Sequence, residues 1–373
     1  MSKNDSHTEA ISLSQDDFQG EETSPARLSA AYIRWRNWEY WPSHAFYFPM
    51  YIWGPLLAMR AGHPAFFTAA NPGIHTGGFG FESKYDTLMK IPEAYRPKTI
   101  LASASDDFRV VLQKIQRAGI RFPLICKPDV GFRGFLVKKI ETELELAAYL
   151  QTYPADFIIQ EFVWRAHEFG VLYYRIPGEK HGKISSLTLK EFLSVTGDGE
   201  STVLKLVGQT PRALLQLERL RATHAHVLHD IPEKGKRVPL GVVGNHSKGT
   251  RFINGNRLID PQLERTFDKI ADQIDGFNYG RFDLKCDSPE RLRRGEGITI
   301  FELNGVCSEP AHIYDPEHST YFGALRDIMW HWGRIAQIAV ANRKRGAQFL
   351  PAMEMIRIIR QTLKRVRYLK NLG

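Results

Sequence analysis

Cysteine is scarce in this chain of 373 residues: there are three, Cys126, Cys286 and Cys307, far apart in sequence. A sparse, odd set argues against a disulfide framework. No Cys-x-x-Cys pair occurs, so nothing indicates a structural zinc centre. A P-loop is also missing, because no GxxxxGK is followed by Ser or Thr. The opening MSKNDSHTEA is polar and lacks the apolar core of a secretory leader, which makes a reducing cytoplasm the expected setting. Residues 40–59 lack Asp, Glu, Lys and Arg and are numerous enough to span a bilayer. Pro42, Pro49, Pro55, His44 and several tyrosines interrupt them, which disfavours a lipid-embedded helix. Aromatic packing in a first subdomain, or contact with a membrane surface, fits them better.

What is present is ordinary for a globular protein: 43% hydrophobic and 24% charged residues. The length calls for two or three subdomains. Lys and Arg number 50 against 41 Asp and Glu, a formal charge of +9. Such an excess favours phosphate-rich partners: nucleotide, nucleic acid or anionic membrane. No RNA-binding module is visible, so no specific nucleic acid is expected.

Along the chain, residues 1–26 are acidic and polar and read as a disordered tail. Residues 31–41 read as an aromatic, arginine-bearing helix, and 65–69 as a short buried strand. Helices are expected over 107–118, capped by Ser105 or Asp106, and over 142–150, capped by Thr142. Others are expected over 212–227, 263–274 and from about Tyr321. Strands are expected over 122–127, 135–140, 156–162, 169–175 and 184–192. The order predicts a mixed α/β fold of α+β subdomains: a divergent N-terminal subdomain at 27–100, a small sheet lid at 101–190, a catalytic subdomain at 191–335 and a basic extension at 336–373. In that extension, Met355, Ile356, Ile359, Leu363 and Val366 form an apolar stripe among arginines and lysines, a basic amphipathic helix. It packs on the body or touches anionic lipid.

Two short segments carry the clearest chemistry. In GRFDLKC, Arg281 and Asp283 alternate with Phe282 and Leu284; in ITIFELNGVC, Glu302 and Asn304 alternate with Phe301 and Leu303. Strand alternation puts each polar pair on one face. Two carboxylates and a carboxamide are hard ligands suited to magnesium, with Arg281 left to steady a transferred phosphoryl group. An ionic network closing a subdomain is the alternative. Lys127 ends an apolar strand before DVGFRGF, whose Gly131 and Gly134 permit a turn that surrounds phosphate with backbone N–H groups, or simply a hairpin. In FIIQEFV, Phe162 and Val163 could pack around a flat base, and Glu168 could accept from ribose hydroxyls or face solvent.

Taken in order, SKYDTLMK, PLICKPDVGFRGFLVKK, FIIQEFVWRAHEF, GRFDLKC and FELNGVCSEP resemble the ATP-grasp superfamily. The likeness is greatest to carboxylate–amine ligases such as D-alanine–D-alanine ligase, ribosomal-protein glutamate ligase and cyanophycin synthetase, and it covers about residues 83–335. SVTGDGESTVLKL and GNHSKGTRF add to the likeness with cyanophycin synthetase. The resemblance implies an ATP-grasp fold and an ADP-forming reaction through an acyl phosphate, with ATP and Mg2+, or Mn2+, as cofactors. By the same resemblance, Lys84 (or Lys90) and Lys127 are the nucleotide lysines, Glu161, Phe162 and Val163 the adenine hinge, and Glu168 the ribose acid. Asp283, Glu302 and Asn304 become the metal ligands, and Arg281 the arginine beside the reacting phosphate. Lys248 is a second catalytic candidate, near Asn245 and His246. With Arg251 it suggests an acidic acceptor. The partners expected are a carboxylate and an amine, amino acid or peptide in kind, with peripheral contact to the cytoplasmic face of an anionic membrane. The competing class is a non-catalytic nucleotide-binding or membrane-surface protein.

Overall fold

The computed structural model describes residues 29–371 apart from 81, 132, 133, 242 and 243. The expected disordered tail lies outside the described residues.

Strands β1 (Thr99–Ala102), β2 (Leu124–Pro128), β3 (Lys138–Ile140) and β4 (Phe157–Glu161) form an antiparallel sheet in the order β1-β4-β2-β3. Helices Phe108–Arg117 and Glu143–Thr152 supply Val111, Ile115 and Leu146 to its core, against Leu124, Cys126, Ile140, Phe157 and Ile159. Alternation in β2 leaves Ile125 and Lys127 for the opposite side. Thr142 caps its helix as expected, accepting from Glu145 N, while Glu145 reaches back to Glu141 N at 2.9 Å. Asp107 rather than Ser105 or Asp106 caps the other helix. The strand expected over 135–140 shrinks to β3, because Gly134 and Leu136 sit at φ 69° and φ 51°, outside the extended region.

The second sheet contains β5 (His167–Tyr174) and β6 (Lys183–Glu191). After β6 the chain leaves through a two-stranded ribbon, β7 (Ser194–Thr196) with β8 (Arg237–Pro239). It returns as β9 (Arg251–Asn254), β10 (Tyr279–Cys286) and β11 (Thr299–Asn304). The sheet order is β11-β10-β5-β6-β9, all antiparallel. One face, bearing Phe169, Val171, Leu187, Phe282 and Leu284, packs on Phe267 and Ile270 of helix Pro261–Ala271. The other carries Leu172 and Tyr279, which meet Leu57 of helix Met50–Ala61 and Ile335 and Ile338 of helix Tyr321–Lys344.

Three further expected elements differ. The helix over 31–41 breaks at Asn37, whose backbone is extended, into Ala30–Arg36 and the 3-10 turn Trp38–Tyr40. The helix over 212–227 is three short pieces, Pro211–Leu214, Leu217–Thr223 and Ala225–Leu228. Gln216 and His224 leave the helical region between them, and Leu220 and Leu228 turn into one small core with Val203 and Leu240. The strand over 65–69 is a 3-10 turn, Phe66–Ala69, which buries Phe66 and Ala69 against helix Tyr321–Lys344 instead of joining a sheet. Just beyond it, buried Asn71 donates to Gly77 O and Tyr279 O and accepts from Asn278 N and Tyr279 N. The following glycine loop lies against the end of β11: a Cβ on Gly78 would stand 2.5 Å from Gly305 Cα, so only glycine fits.

The C-terminal helix Ala352–Lys370 packs on the body along Met355 and Thr362, with Arg365 3.3 Å from Asp156. Its expected stripe is split, since Ile356 and Leu363 stay exposed. Among the described residues, no helix is long and apolar enough to cross a membrane.

Candidate functional site

A cavity of about 1140 Å³ lies between the two sheets. That exceeds the common range for one small ligand, roughly 300–1,000 Å³, and leaves space for two.

Its floor is the face of β10 that carries Arg281, Asp283 and Lys285. Register sets Glu302 opposite Asp283 and Asn304 opposite Arg281. A shift after Asp283 next pairs Leu284 with Ile300, so Ile300 and Leu303 both reach the core while Glu302 stays beside Asp283. Such a bulge re-aims side chains without ending the strand. Phe301, expected on the apolar face, lines the cavity instead.

Asp283 is buried and fully engaged. Its Oδ1 accepts from Arg281 Nε at 2.9 Å and Lys190 Nζ at 3.0 Å; its Oδ2 accepts from Arg281 Nη2 and Asn304 Nδ2, each at 3.0 Å. Burial alone would raise this carboxyl, but the Arg281 and Lys190 charges hold it far below the carboxylate range. Glu302 pairs with Lys84, the first residue of helix Lys84–Met89. Burial is again opposed, by Lys84 and Lys127, and the Glu302 carboxyl stays low. Lys127 crosses from the four-stranded sheet to donate to Phe301 O at 3.1 Å, and burial lowers its ammonium. Gly170 faces Asp283, and a Cβ there would stand 3.2 Å from Arg281 Cδ.

Lys190 escaped the sequence reading. It is buried, and its ammonium bridges Glu168 Oε1 and Asp283 Oδ1 at 3.0 Å each. Its signal was the alternation of Ser186, Thr188 and Lys190 in β6, easily taken for a solvated face. Four cations, Lys84, Lys127, Lys190 and Arg281, thus meet four carboxylates, Glu168, Asp283, Glu302 and, acting on Lys84, Glu82. Four cations gathered on one wall suit a polyanion. Gly244 closes over Glu168: a Cβ there would lie 1.9 Å from Glu168 Oε1.

At the lid edge Glu161, Phe162 and Val163 line the same cavity. Glu161 N donates to Lys98 O, and Lys98 N donates to the Glu161 carboxylate. The Phe162 ring has Lys139 Nζ 4.9 Å and Lys285 Nζ 5.2 Å from its centroid, and Lys285 donates to Val163 O at 3.1 Å. Gly131 and Gly134 complete the wall. Every predicted site residue but one therefore lies on one cavity. The exception is Lys248, whose Nζ donates to Gly134 O at 2.6 Å. It holds the glycine turn from outside. Lys90 is exposed and absent from the wall. His246 does line the cavity, bonded to Glu39 at 2.7 Å.

Asp283, Glu302 and the Asn304 carboxamide are hard oxygen donors of the kind that suits magnesium or manganese. In this structure Lys84, Lys190 and Arg281 occupy the two carboxylates, so a metal would take the place of some of these contacts. Asp315, Glu317 and His318 also bring ligand-type atoms within 4.8 Å of one another. There Asp315 accepts from Asn254 N, Glu317 N and the His318 ring, as in a capped turn.

No family model matches the chain. The glutathione biosynthesis bifunctional protein of Streptococcus mutans is 26% identical over 215 residues, which are 52% of this chain and 28% of that protein. The chain thus corresponds to little more than a quarter of that relative's length. Among solved structures, the VanG D-Ala:D-Ser ligase from Enterococcus faecalis aligns with 72% of this chain and 64% of its own, at 15% identity and a TM-score of 0.39. The D-alanine–D-alanine ligase from Bacillus anthracis complexed with ATP aligns with 73% and 72%, at 13% identity and a TM-score of 0.40.

Proposed function

We propose that the chain is an ATP-grasp carboxylate–amine ligase that forms an amide or peptide bond and releases ADP and phosphate. The observation that carries this reading is the partly buried cluster of Asp283, Glu302 and Asn304 with Lys84, Lys127, Lys190 and Arg281, between a small sheet and a larger one. The partial similarity to the glutathione biosynthesis protein supports it.

In this reading Phe162 and Val163 hold the base, and Glu168 accepts from the ribose. Lys84, Lys127 and the backbone of the turn at Gly131 and Gly134 balance charge on the polyphosphate. Asp283, Glu302 and the Asn304 carboxamide would hold magnesium or manganese, which supplies charge neutralisation when bound. The substrate carboxylate attacks the γ-phosphorus and ADP leaves. The amine then attacks the acyl carbonyl, phosphate departs, and Arg281 offsets the charge of that transition state. Closure of the lid limits hydrolysis of the acyl phosphate.

The test is ADP release with ATP, magnesium and pooled amino acids, dipeptides and amines, compared with Asp283→Asn plus Glu302→Gln. Release that needs both an added substrate and the intact carboxylates supports ligation. ATP binding without turnover over a broad panel favours the non-catalytic alternative.

A second property has its own observation. Helix Met50–Ala61 buries Leu57 but exposes Tyr51, Ile52, Leu56 and Met59, so it is apolar on both faces. Exposed Phe322 and Trp330 lie near it on a shallow groove with Arg326 and Arg334. Rings and arginines around an apolar face suit the surface of an anionic membrane. Leu56→Asp should weaken co-sedimentation with anionic vesicles and leave the melting temperature unchanged. Equal sedimentation would dismiss the membrane reading.

A further inference from the structure

Away from Lys84 and Lys127, the cavity changes character. Its far wall comes from the 3-10 turn Trp38–Tyr40 and the helical turn Ser43–Phe46, which face Glu309 and Tyr314. The Trp38 ring stacks on Phe46 at 5.4 Å and on Tyr314 at 6.0 Å. Glu309 accepts from the Tyr314 hydroxyl at 2.7 Å, and its backbone oxygen lies 3.4 Å from Arg281 Nη1, which ties this wall to the proposed reaction centre. Among the described residues, no lysine, arginine or histidine pairs with the Glu309 carboxylate. Burial pushes that carboxyl above its ordinary range, and the Tyr314 hydrogen bond offsets only part of the shift. The hydroxyl of Tyr47, on the same wall, is buried without a hydrogen-bond partner.

Among the described residues, the neighbouring charges are not bonded to the Glu309 carboxylate. Glu39 is engaged by Arg212 at 2.9 Å and His246 at 2.7 Å, and stacking of Tyr40 on His246 completes that corner. Lys248 and Arg251, the basis for expecting an acidic acceptor, are occupied by Gly134 O and Glu317 and do not line the cavity.

We infer that the amine acceptor is a cationic amine on an apolar, ring-bearing body, with its ammonium at Glu309 and its body beside the rings of Trp38 and Tyr314. The inference rests on the ligase reading for the word acceptor. The seat itself rests on a half-buried carboxyl that has no cationic partner among the described residues and stands beside aromatic rings, a setting that attracts an ammonium by charge and by contact with the rings. Trp38 and Phe46 select the body, Glu309 selects the charge, and Tyr47 offers one hydrogen bond.

The test is equilibrium binding to the full chain with magnesium and a non-hydrolysable ATP analogue, read by calorimetry. The probes are phenethylamine, phenethyl alcohol and glutamate. Phenethylamine is expected to bind about tenfold tighter than the alcohol, with glutamate weakest. Glu309→Gln should remove that advantage and leave affinity for the ATP analogue unchanged. Equal binding of amine and alcohol, tighter binding of glutamate, or an unaffected Glu309→Gln would overturn the inference. Should Glu309→Gln not fold, the three probes on the native chain still decide. Amine binding without any binding of the analogue would remove the ligase reading and keep the seat; the converse would remove the seat alone.

Discussion

At the cationic end of the cavity, each side chain in the buried cluster comes from a regular element: Lys84 from a helix, and Lys127, Glu168, Lys190, Arg281, Asp283, Glu302 and Asn304 from strands. At the aromatic end, Trp38, Tyr40, Phe46 and Glu309 come from short turns and loop. The first end is a charge lattice whose geometry follows from strand pairing. The second is held by ring contacts and by the Glu39 ion pairs. If this contrast is right, damage at the cationic end should fall on turnover, and damage at the aromatic end on acceptor choice and folding.

The largest expected effect is Arg281→Ala. It removes the bidentate partner of Asp283 and the proposed stabiliser of the second transition state. Turnover should fall about 100-fold, the scale of losing one such donor, in an ADP-release assay. A loss confined to KM would break the contrast.

Gly244→Ala comes next. The added carbon has no space beside Glu168, so about 1–3 kcal/mol of destabilisation is expected, as for overpacking generally. Urea unfolding would measure it, and full stability would mean that the loop yields.

Glu39→Gln probes the other end. Burial would raise Glu39, but the His246 hydrogen bond and the Arg212 charge hold it below the ordinary carboxylate value. Its contribution is therefore complete above the unfolded value of about 4.3 and fades as pH falls through the lower folded value. The substitution should cost about 2 kcal/mol near neutrality, a difference that shrinks in strong acid. Unfolding curves at neutral and acid pH would show it. A difference that does not vary with pH would sever Glu39 from its charge partners.

Lys248→Ala should do least. It frees Gly134 O, so KM for ATP should rise a few-fold with little change in kcat, about 1 kcal/mol for one charged hydrogen bond. A collapse of kcat would return Lys248 to the reaction itself.

The same contrast separates what could be read in the sequence from what could not. Alternation in GRFDLKC and FELN was enough to put Arg281, Asp283, Glu302 and Asn304 on one face, because strand periodicity is local. The bulge after Asp283 is not local: it depends on the pairing of two strands, so Phe301 was misjudged. Lys190 was missed because one lysine in a polar–apolar alternation reads as solvated until the strands on either side close over it. The two-sided apolarity of helix Met50–Ala61 was visible as an uncharged stretch. That its preceding turns wall a cavity was not, since nothing periodic marks Trp38 or Phe46. Residues 65–69 failed as a strand because their apolar run meets a helix, and a short apolar run does not tell the two partners apart.

Asn71 has a mechanical consequence. Three of its hydrogen bonds join the loop that follows the N-terminal helices to the start of β10, two residues ahead of Arg281, and the fourth closes that loop on Gly77 O. The strand that carries the charged floor is thereby fixed to the loop that leads out of the N-terminal helices. The four-stranded sheet joins the body that holds this strand and loop at its two chain ends, which are bonded to each other through Lys98 and Glu161, and through Lys127 on Phe301 O, Lys248 on Gly134 O and Arg365 beside Asp156. The cavity is thus bounded on one side by a continuous body and on the other by a separate sheet, which meets that body along the edge where Phe162 and Val163 face the interior.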